Sequence, residues 1–296
     1  MFKKKIIVPI LLIGIILLSV GCSTQKEGIA IGGKDFTEQD ILVYIIGELI
    51  ENNTDIPVRY RNYLGGTNIV DGAIRRGDLD IYVEYTGTAY INLLGLEPIN
   101  DSQRVYEIVA QEYAEKFNIK WLKPLGFNNT YTLAMRRAHA EELGIEKISD
   151  LVPFAQDLTL GATHEFLERK DGYLGLQEVY GITFGDTRGL DPGLTYAAVR
   201  DGAVDVNDAF STDGRIVAFD LKVLEDDKNF FPPYYAVPII RMDTLEKYPQ
   251  LEEIINKLAG RLTDEIMQKL NAKVDLDGEN ARDVARNWLK SEGLIK

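Results

Sequence analysis

A ten-residue segment occurs twice in this chain and limits the folds that the chain can adopt. The first copy, residues 77–86, reads GDLDIYVEYT, and the second, residues 202–211, reads GAVDVNDAFS. Four pairs of positions match in chemical type: Gly77 with Gly202, Asp80 with Asp205, Tyr85 with Phe210, and Thr86 with Ser211. Each copy predicts a strand that follows a helix and ends in an aromatic residue and a hydroxyl-bearing turn. A chance match is the alternative, since the chain is rich in glycine, aspartate and valine.

The aromatic residues of the repeat indicate where a ligand would bind. In an open α/β sheet, ligands bind beyond the carboxyl ends of the strands. Tyr85 and Phe210 fall at that end of their predicted strands. The two copies therefore predict two similar lobes whose aromatic residues face each other across a cleft.

The N-terminus has the pattern of an export signal. Lys3, Lys4 and Lys5 precede an apolar run over residues 6–20, which is shorter than the roughly 20 residues of a membrane-spanning helix. Basic residues before such a run are typical of a secretory signal. Cys22 follows directly after Gly21, so the segment resembles a bacterial lipoprotein signal, although Ser19 stands where leucine is commoner. Residues 1–22 are predicted to be a lipoprotein signal peptide with Cys22 as the lipidated residue. An N-terminal anchor helix is the alternative.

Charge and cysteine content exclude several classes of protein. Removing the three lysines of the signal leaves 46 acidic against 30 basic residues, a net charge of −16. Binding to nucleic acid through neutralisation of its backbone is therefore not expected. A single cysteine allows no disulfide within the chain. No sequence motif indicates a cofactor, and none is predicted.

Strand and helix patterns alternate along the rest of the chain. The predicted strands are residues 28–31, 58–60, 81–83, 130–135, 158–162 and 204–208. The predicted helices are one capped by Thr37, one over residues 102–117, one from His164, one over residues 194–200, and a mostly helical region from Thr244. Such alternation predicts parallel sheets with helices on both faces. An apolar stripe in the last region, between Leu251 and Leu270, is predicted to be core.

Four segments together resemble a known family. They are IGGKDFTEQ at 31–39, VEYTGTAY at 83–90, DAFSTDG at 208–214 and FPPYYAVP at 231–238. In this order, behind a lipoprotein signal, they are similar to the substrate-binding proteins of glycine betaine, choline, carnitine and proline ABC uptake transporters. The resemblance covers nearly all of the chain after the signal.

The resemblance implies an α/β protein with a two-lobe, periplasmic-binding-protein-like fold of type II. Each lobe would have a mostly parallel sheet flanked by helices, with the ligand in the cleft between them. Residues 28–128 with 236–296 would form lobe 1, and residues 129–235 would form the inserted lobe 2. The protein would be lipid-anchored at the extracytoplasmic face of the membrane. It would deliver a quaternary ammonium compound to the permease and ATPase subunits of the transporter.

The ligand's cationic end requires aromatic rings. A trimethylated ammonium has no N–H donor, so ring faces and carbonyl dipoles recognise it, each face contributing roughly 0.5 to 2 kcal/mol. The family's motifs place five residues in such a cation box: Tyr85, Asn129, Tyr131, Phe210 and Tyr234. Asn129 would contribute its backbone carbonyl. Phe210 departs from the tyrosine of similar family members, which keeps the ring face and removes a hydroxyl.

The ligand's carboxylate end requires positive charge and hydroxyl groups. Lys34 precedes the first helix, where unpaired N–H groups favour an anion, and Thr88 can donate a hydroxyl. Glu165 and Arg169 are four residues apart, so a solvated ion pair on one helix face is the simpler interpretation. The resemblance instead implies that Arg169 clamps a carboxylate. His164 is interpreted as a helix-start residue, since His139 is the only other histidine and no metal-ligand cluster exists.

Two other functions compete with this prediction. The same fold can bind another small ligand, such as an amino acid or a thiolated betaine. A two-lobe enzyme with Glu165 and His164 as general acid and base is the other possibility. No nucleophile elbow, Walker loop or HExxH motif supports the enzyme.

Overall fold

The computed structural model describes residues 28–99 and 101–296. The predicted signal peptide, residues 1–22, and Cys22 lie outside this part. The described strands, in chain order, are β1 Ile29–Gly32, β2 Val58–Arg61, β3 Ile81–Tyr85, β4 Ile119–Trp121, β5 Tyr131–Arg136, β6 Thr159–Thr163, β7 Asp186–Leu190, β8 Val206–Phe210, β9 Leu221–Val223 and β10 Ala236–Arg241. Each strand predicted from the sequence is present, with its ends shifted by a few residues.

Helices pack against these strands throughout the described chain. They are α1 Thr37–Asn53, α2 Thr67–Arg76, α3 Ser102–Phe117, α4 Arg137–Leu143, α5 His164–Glu168, α6 Tyr173–Tyr180, α7 Pro192–Arg200, α8 Arg215–Ala218, α9 Met242–Lys247, α10 Gln250–Asn256, α11 Asp264–Asp275 and α12 Ala281–Ser291. A π-helix covers Thr88–Leu93. Thr37 is not the cap of α1 as predicted: Phe36 holds that position, and the Thr37 hydroxyl donates to Asp275.

Two five-stranded sheets form the centres of two lobes. The sheet of lobe 1 has the order β2-β1-β3-β10-β4, and that of lobe 2 has the order β7-β6-β8-β5-β9. In each sheet the fourth strand runs against its neighbours, so the sheets are mixed instead of wholly parallel. The predicted residue boundaries of the lobes stay a prediction.

The reversed strands are those that carry the chain across the cleft. β3 ends where β10 begins, with Tyr85 opposite Ala236, and β8 ends where β5 begins, with Phe210 opposite Tyr131. A chain that enters a sheet from its cleft edge must run opposite to strands that end there. The chain crosses between the lobes twice, once around Asn128 and once around Tyr235. These two crossing segments meet side by side at those residues.

The sequence repeat is also a structural repeat. Gly77 and Gly202 both have positive φ, 80° and 73°, which favours glycine at the end of the preceding helix. The Asp80 carboxylate accepts a hydrogen bond from the Ala30 amide at 2.7 Å, and the Asp205 carboxylate accepts one from the Thr159 amide at 2.9 Å. Each aspartate thus ties its strand to the start of the neighbouring parallel strand.

The repeated hydroxyl groups bind the two crossing segments. The Thr86 hydroxyl donates to the Pro233 carbonyl and accepts from the Tyr235 amide, both at 3.1 Å. The Ser211 hydroxyl donates to the Asn128 carbonyl at 2.9 Å and accepts from the Thr130 amide at 3.1 Å. The two copies therefore hold the interlobe connection from opposite sides.

The C-terminal helices complete lobe 1. The predicted apolar stripe is largely core: Leu251, Leu258 and Leu262 are fully buried, while Ile266 is partly buried. Helix α1 packs against α10, α11 and α12.

Within residues 28–99 and 101–296, no helix is long and apolar enough to cross a membrane.

Candidate functional site

A cavity of about 200 Å³ lies between the lobes at the carboxyl ends of β3 and β8. The structure brings all nine predicted site residues to its wall: Lys34, Tyr85, Thr88, Asn129, Tyr131, Glu165, Arg169, Phe210 and Tyr234. They come from both lobes and from both crossing segments. Their contacts with a ligand stay predictions.

Five aromatic rings at the cavity form one connected group. Tyr131 lies 4.9 Å from Phe210 and 5.5 Å from Tyr234 between ring centroids. Phe36, which was not among the predicted site residues, stacks on Phe210 at 5.7 Å with an interplanar angle of 4°. It also lies 6.4 Å from Tyr85 and so links the rings of the two lobes. Its place within the IGGKDFTEQ motif was the available signal.

Hydrogen bonds behind the rings hold two of the tyrosines. The Tyr85 hydroxyl donates to Glu38 at 2.6 Å, and the Tyr234 hydroxyl donates to Asp171 at 2.7 Å. Burial raises the pKa of both phenols well above the usual value, so both stay protonated. Tyr234 also packs on Gly87, where a Cβ would lie 2.8 Å from the ring. Glycine is required at that position for the ring to approach.

Asn129 connects the crossing segments to lobe 1. Its amide N–H donates to the Tyr234 carbonyl at 3.1 Å, and its side-chain nitrogen donates to Glu38 at 2.9 Å. The side-chain oxygen is buried and has no hydrogen-bond partner in the described part of the chain. The role predicted for its backbone carbonyl stays a prediction.

Arg169 is a buried ion-pair centre. Its side chain is 3% exposed, and it donates to Glu165 at 2.7 Å, to Asp171 at 2.8 Å and to Thr88 at 3.3 Å. The interpretation as a solvated helix-face pair is therefore wrong. The backbone is extended at Arg169, after α5 has ended. That turn of the chain brings Asp171 within reach of the guanidinium, which helical spacing did not predict.

Lys34 is paired in the same way. Its ammonium donates to Glu84 at 2.6 Å, and the two side chains are 4% and 0% exposed. Burial raises the pKa of Glu84, although the charge of Lys34 lowers it in part. The Lys34 nitrogen lies 5.1 Å from the Tyr85 ring centroid, and the Arg169 guanidinium lies 5.3 Å from that of Tyr131. The polar and aromatic ends of the cavity are therefore adjacent.

Glu165 joins the lobes across the mouth of the cavity. Its carboxylate accepts from the amide of Thr67, the first residue of α2, at 3.3 Å. Burial raises the pKa of Glu165, but the charges of Arg169 and Lys34 outweigh it and leave the pKa below the usual value. An ionised carboxylate at the start of a helix is favoured by the helix dipole.

Hydrogen bonds through Thr163 hold the start of α5. His164 begins the helix, as predicted, and the Thr163 hydroxyl accepts from the Phe166 amide as its cap. Thr163 in turn donates to Asp208 at 2.8 Å. Burial raises the pKa of Asp208 to about 7.

No group of three or more His, Cys, Asp or Glu within residues 28–99 and 101–296 has metal-binding geometry.

Comparison with known protein families shows the family to which the chain belongs. Residues 27–291 match the family model described as the substrate binding domain of ABC-type glycine betaine transport systems. The chain belongs to this family. As a family member, it is a substrate-binding component of an ABC importer, and the resemblance drawn from the four sequence motifs is confirmed.

Individual relatives agree with this family assignment. A carnitine transport binding protein of Listeria monocytogenes is 36% identical over 304 residues, covering 99% of both chains. An ergothioneine transport permease/ergothioneine binding protein of Helicobacter pylori is 38% identical over 272 residues. The match covers 91% of this chain but only 48% of that relative.

A solved structure supports the predicted fold of this family member. It is described as a glycine betaine/carnitine/choline ABC transporter and is 35% identical, with a TM-score of 0.74. The match covers 90% of this chain and 100% of the other. The prediction of a two-lobe, type II binding-protein fold is confirmed.

Substitutions at Phe210 test the aromatic end of the cavity in this family member. We expect Phe210→Tyr to keep ligand affinity within about tenfold, because the ring face is preserved. Phe210→Ala should lose about 1 to 3 kcal/mol of binding free energy through one ring face and its apolar contact. Calorimetric titration and unligated melting temperature are measured on both variants.

A matched control is Phe230→Ala, which removes a half-buried ring of lobe 2 that does not line the cavity. This variant should bind as the parent does. If Phe210 were only a core residue, Phe210→Ala would instead lower the folding stability by roughly 3 to 5 kcal/mol and leave ligand affinity unchanged. That result would remove Phe210 from the site.

Proposed function

We propose that this chain binds a quaternary ammonium compatible solute for an ABC importer. Glycine betaine, choline, carnitine and proline betaine are the candidate ligands. The protein would work outside the cytoplasm, held to the membrane by a lipid on Cys22. The ligand would pass to the membrane permease, whose transport the ATPase subunits drive.

The observation that carries this proposal is the makeup of the cavity wall. Aromatic rings from both lobes surround one end, as a cation without N–H donors requires. Lys34, Arg169 and Thr88 stand at the adjacent end. The Lys34 ammonium lies 5.1 Å from the Tyr85 ring centroid and the Arg169 guanidinium 5.3 Å from that of Tyr131, so one small molecule with an ammonium and a carboxylate can contact both ends.

The polar end retains donors for a carboxylate. An arginine has five N–H donors, and four are used by Arg169 toward Glu165, Asp171 and Thr88. Lys34 uses one of its three donors on Glu84. Thr88 accepts from Arg169, so its own O–H is available. A ligand carboxylate can therefore receive hydrogen bonds from all three residues.

A thiolated betaine is the second candidate ligand. The observation that favours it is the relative from Helicobacter pylori, which is named as an ergothioneine binding protein. Such a ligand presents the same trimethylammonium and carboxylate groups with a larger body. Leu190, Asp191 and Pro192 extend the cavity wall beyond the rings and would face that body.

Calorimetric titration of residues 22–296 tests the proposed function. The panel contains glycine betaine, proline betaine, carnitine, choline and ergothioneine, with glycine and proline as controls that lack a quaternary ammonium. We expect at least one trimethylated ligand to bind and both controls to give no heat. A thermal-shift assay provides a second measurement, since a ligand at 100 times its Kd stabilises the folded protein by about 2.7 kcal/mol. Binding of an ordinary amino acid alone would contradict the proposal.

A further inference from the structure

Glu38 lies behind the aromatic end of the cavity. It is the second residue of α1 and is 3% exposed. It does not line the main cavity but lines a smaller one of about 20 Å³, whose wall includes Phe36, Asn129 and Phe210. These three residues also line the main cavity and separate Glu38 from it.

Four neutral donors surround the Glu38 carboxylate. One oxygen accepts from the Tyr85 hydroxyl at 2.6 Å and from Asn129 at 2.9 Å. The other accepts from the Thr212 hydroxyl at 2.6 Å and from Asn271 at 3.3 Å. These residues come from β3, a crossing segment, the turn after β8 and α11. In the described residues no lysine or arginine forms an ion pair with Glu38.

The four donors around Glu38 fit an ionised carboxylate. Two of the donors are amide groups, which cannot accept a proton from a carboxylic acid through the same nitrogen. Burial leaves the pKa of Glu38 above its usual value, although the hydrogen bonds from Thr212, Tyr85, Asn271 and Asn129 lower it in part. A buried negative charge without a cationic partner is costly, and its interactions are weakly screened. A cation bound in the main cavity against the Tyr85 ring would compensate it.

We propose that Glu38 is a specificity-determining positioning residue, which makes the site select a cation over a neutral molecule of the same shape without touching the ligand. The Tyr85 hydroxyl donates to an anion, which increases electron density on the ring that faces the cavity. A ring richer in electrons attracts a cation more strongly. This inference rests on the proposed quaternary ammonium function and assigns the source of the site's charge preference.

A purely structural role predicts a different result. Glu38 connects four segments, so its loss could weaken binding by loosening the closed arrangement of the lobes. That effect would be equal for a ligand with a trimethylammonium group and for its analogue with an uncharged tert-butyl group of the same shape. The two roles are therefore distinguished by the ratio of two affinities, whereas a single affinity would not separate them.

The experiment compares a ligand with its tert-butyl analogue, in which carbon replaces the ammonium nitrogen. Choline or glycine betaine is used, whichever binds the parent. Kd values for both members of the pair are measured by titration of the parent, Glu38→Gln and Thr212→Val. We expect Glu38→Gln to reduce the preference for the cation by about tenfold, a change within the range of one desolvated cation–π contact. Thr212→Val removes one donor and keeps the charge, so it should retain the parental preference.

Two outcomes separate this inference from the proposed function. A parent that binds no trimethylammonium compound overturns both. A parent that binds one, with an unchanged preference in Glu38→Gln, overturns the role of Glu38 alone. If Glu38→Gln does not fold, Tyr85→Phe removes the connecting hydroxyl and keeps the ring. In that variant a reduced preference supports the inference, and an unchanged preference overturns it.

Discussion

Replacing Arg169 by alanine is expected to lower the free energy of unfolding by about 3 to 5 kcal/mol, the usual cost of breaking a buried ion pair. The reason is that Asp171, 1% exposed, and Glu165 both lose their cationic partner. Tyr234 and Thr88 would also lose the arrangement that Arg169 supports. Denaturant unfolding of the unligated protein measures the change. Titration should also show a larger loss of affinity for glycine betaine than for choline, which has no carboxylate.

Arg200→Ala is the matched control for this experiment. Arg200 pairs with Asp201 on the surface of lobe 2, and both side chains are largely exposed. Because exposed ion pairs are screened by solvent, this variant should unfold as the parent does. Equal stability of the two variants would contradict the buried pair. Equal losses of affinity for glycine betaine and choline would remove Arg169 from the carboxylate end.

Replacing Lys34 by methionine should have an effect of similar size. The change leaves the fully buried Glu84 without its cation, which we expect to cost about 3 to 5 kcal/mol of folding free energy. Tyr82 and the Tyr85 amide would remain its hydrogen-bond donors. Adding Glu84→Gln removes the unpaired charge, so the double variant should recover part of the loss. Denaturant unfolding of the parent, both single variants and the double variant gives a double-mutant cycle, from which the interaction energy of Lys34 and Glu84 is calculated.

Lys269→Met is the control for Lys34, since Lys269 forms an exposed pair with Glu265 on α11. It is expected to leave stability nearly unchanged. Strictly additive effects of Lys34→Met and Glu84→Gln would show that the two side chains do not interact. Such additivity would contradict the buried pair.

Local patterns were sufficient to find most of the elements. Helix α3 has the predicted bounds, because its apolar spacing and its Asp101 cap are both local features. The end of α5 before Arg169 was not predicted, since residues 165 and 169 have helical spacing. The contact with Thr88, 81 residues away in the chain, is tertiary and outweighs that local preference, and Asp171, two residues further on, adds a local pair.

The sequence by itself determined which residue types the site contains. Recognition of a quaternary ammonium requires several rings, and the ten-residue repeat alone predicts Tyr85 and Phe210 at equivalent strand ends, where both are found. The family motifs supplied the remaining predicted residues, and all of them line one cavity. Their contacts with a ligand, the lobe boundaries and the lipid on Cys22 stay predictions.

Only the tertiary structure decided which partners control these residues. Phe36, Glu38 and Asp171 act through contacts with segments far away in the chain, and no local periodicity reports such contacts. The reversal of β5 and β10 was also decided there, because both strands enter their sheets from the cleft. Residue type limits the chemistry that a side chain can perform, whereas burial and long-range pairing set its charge and orientation.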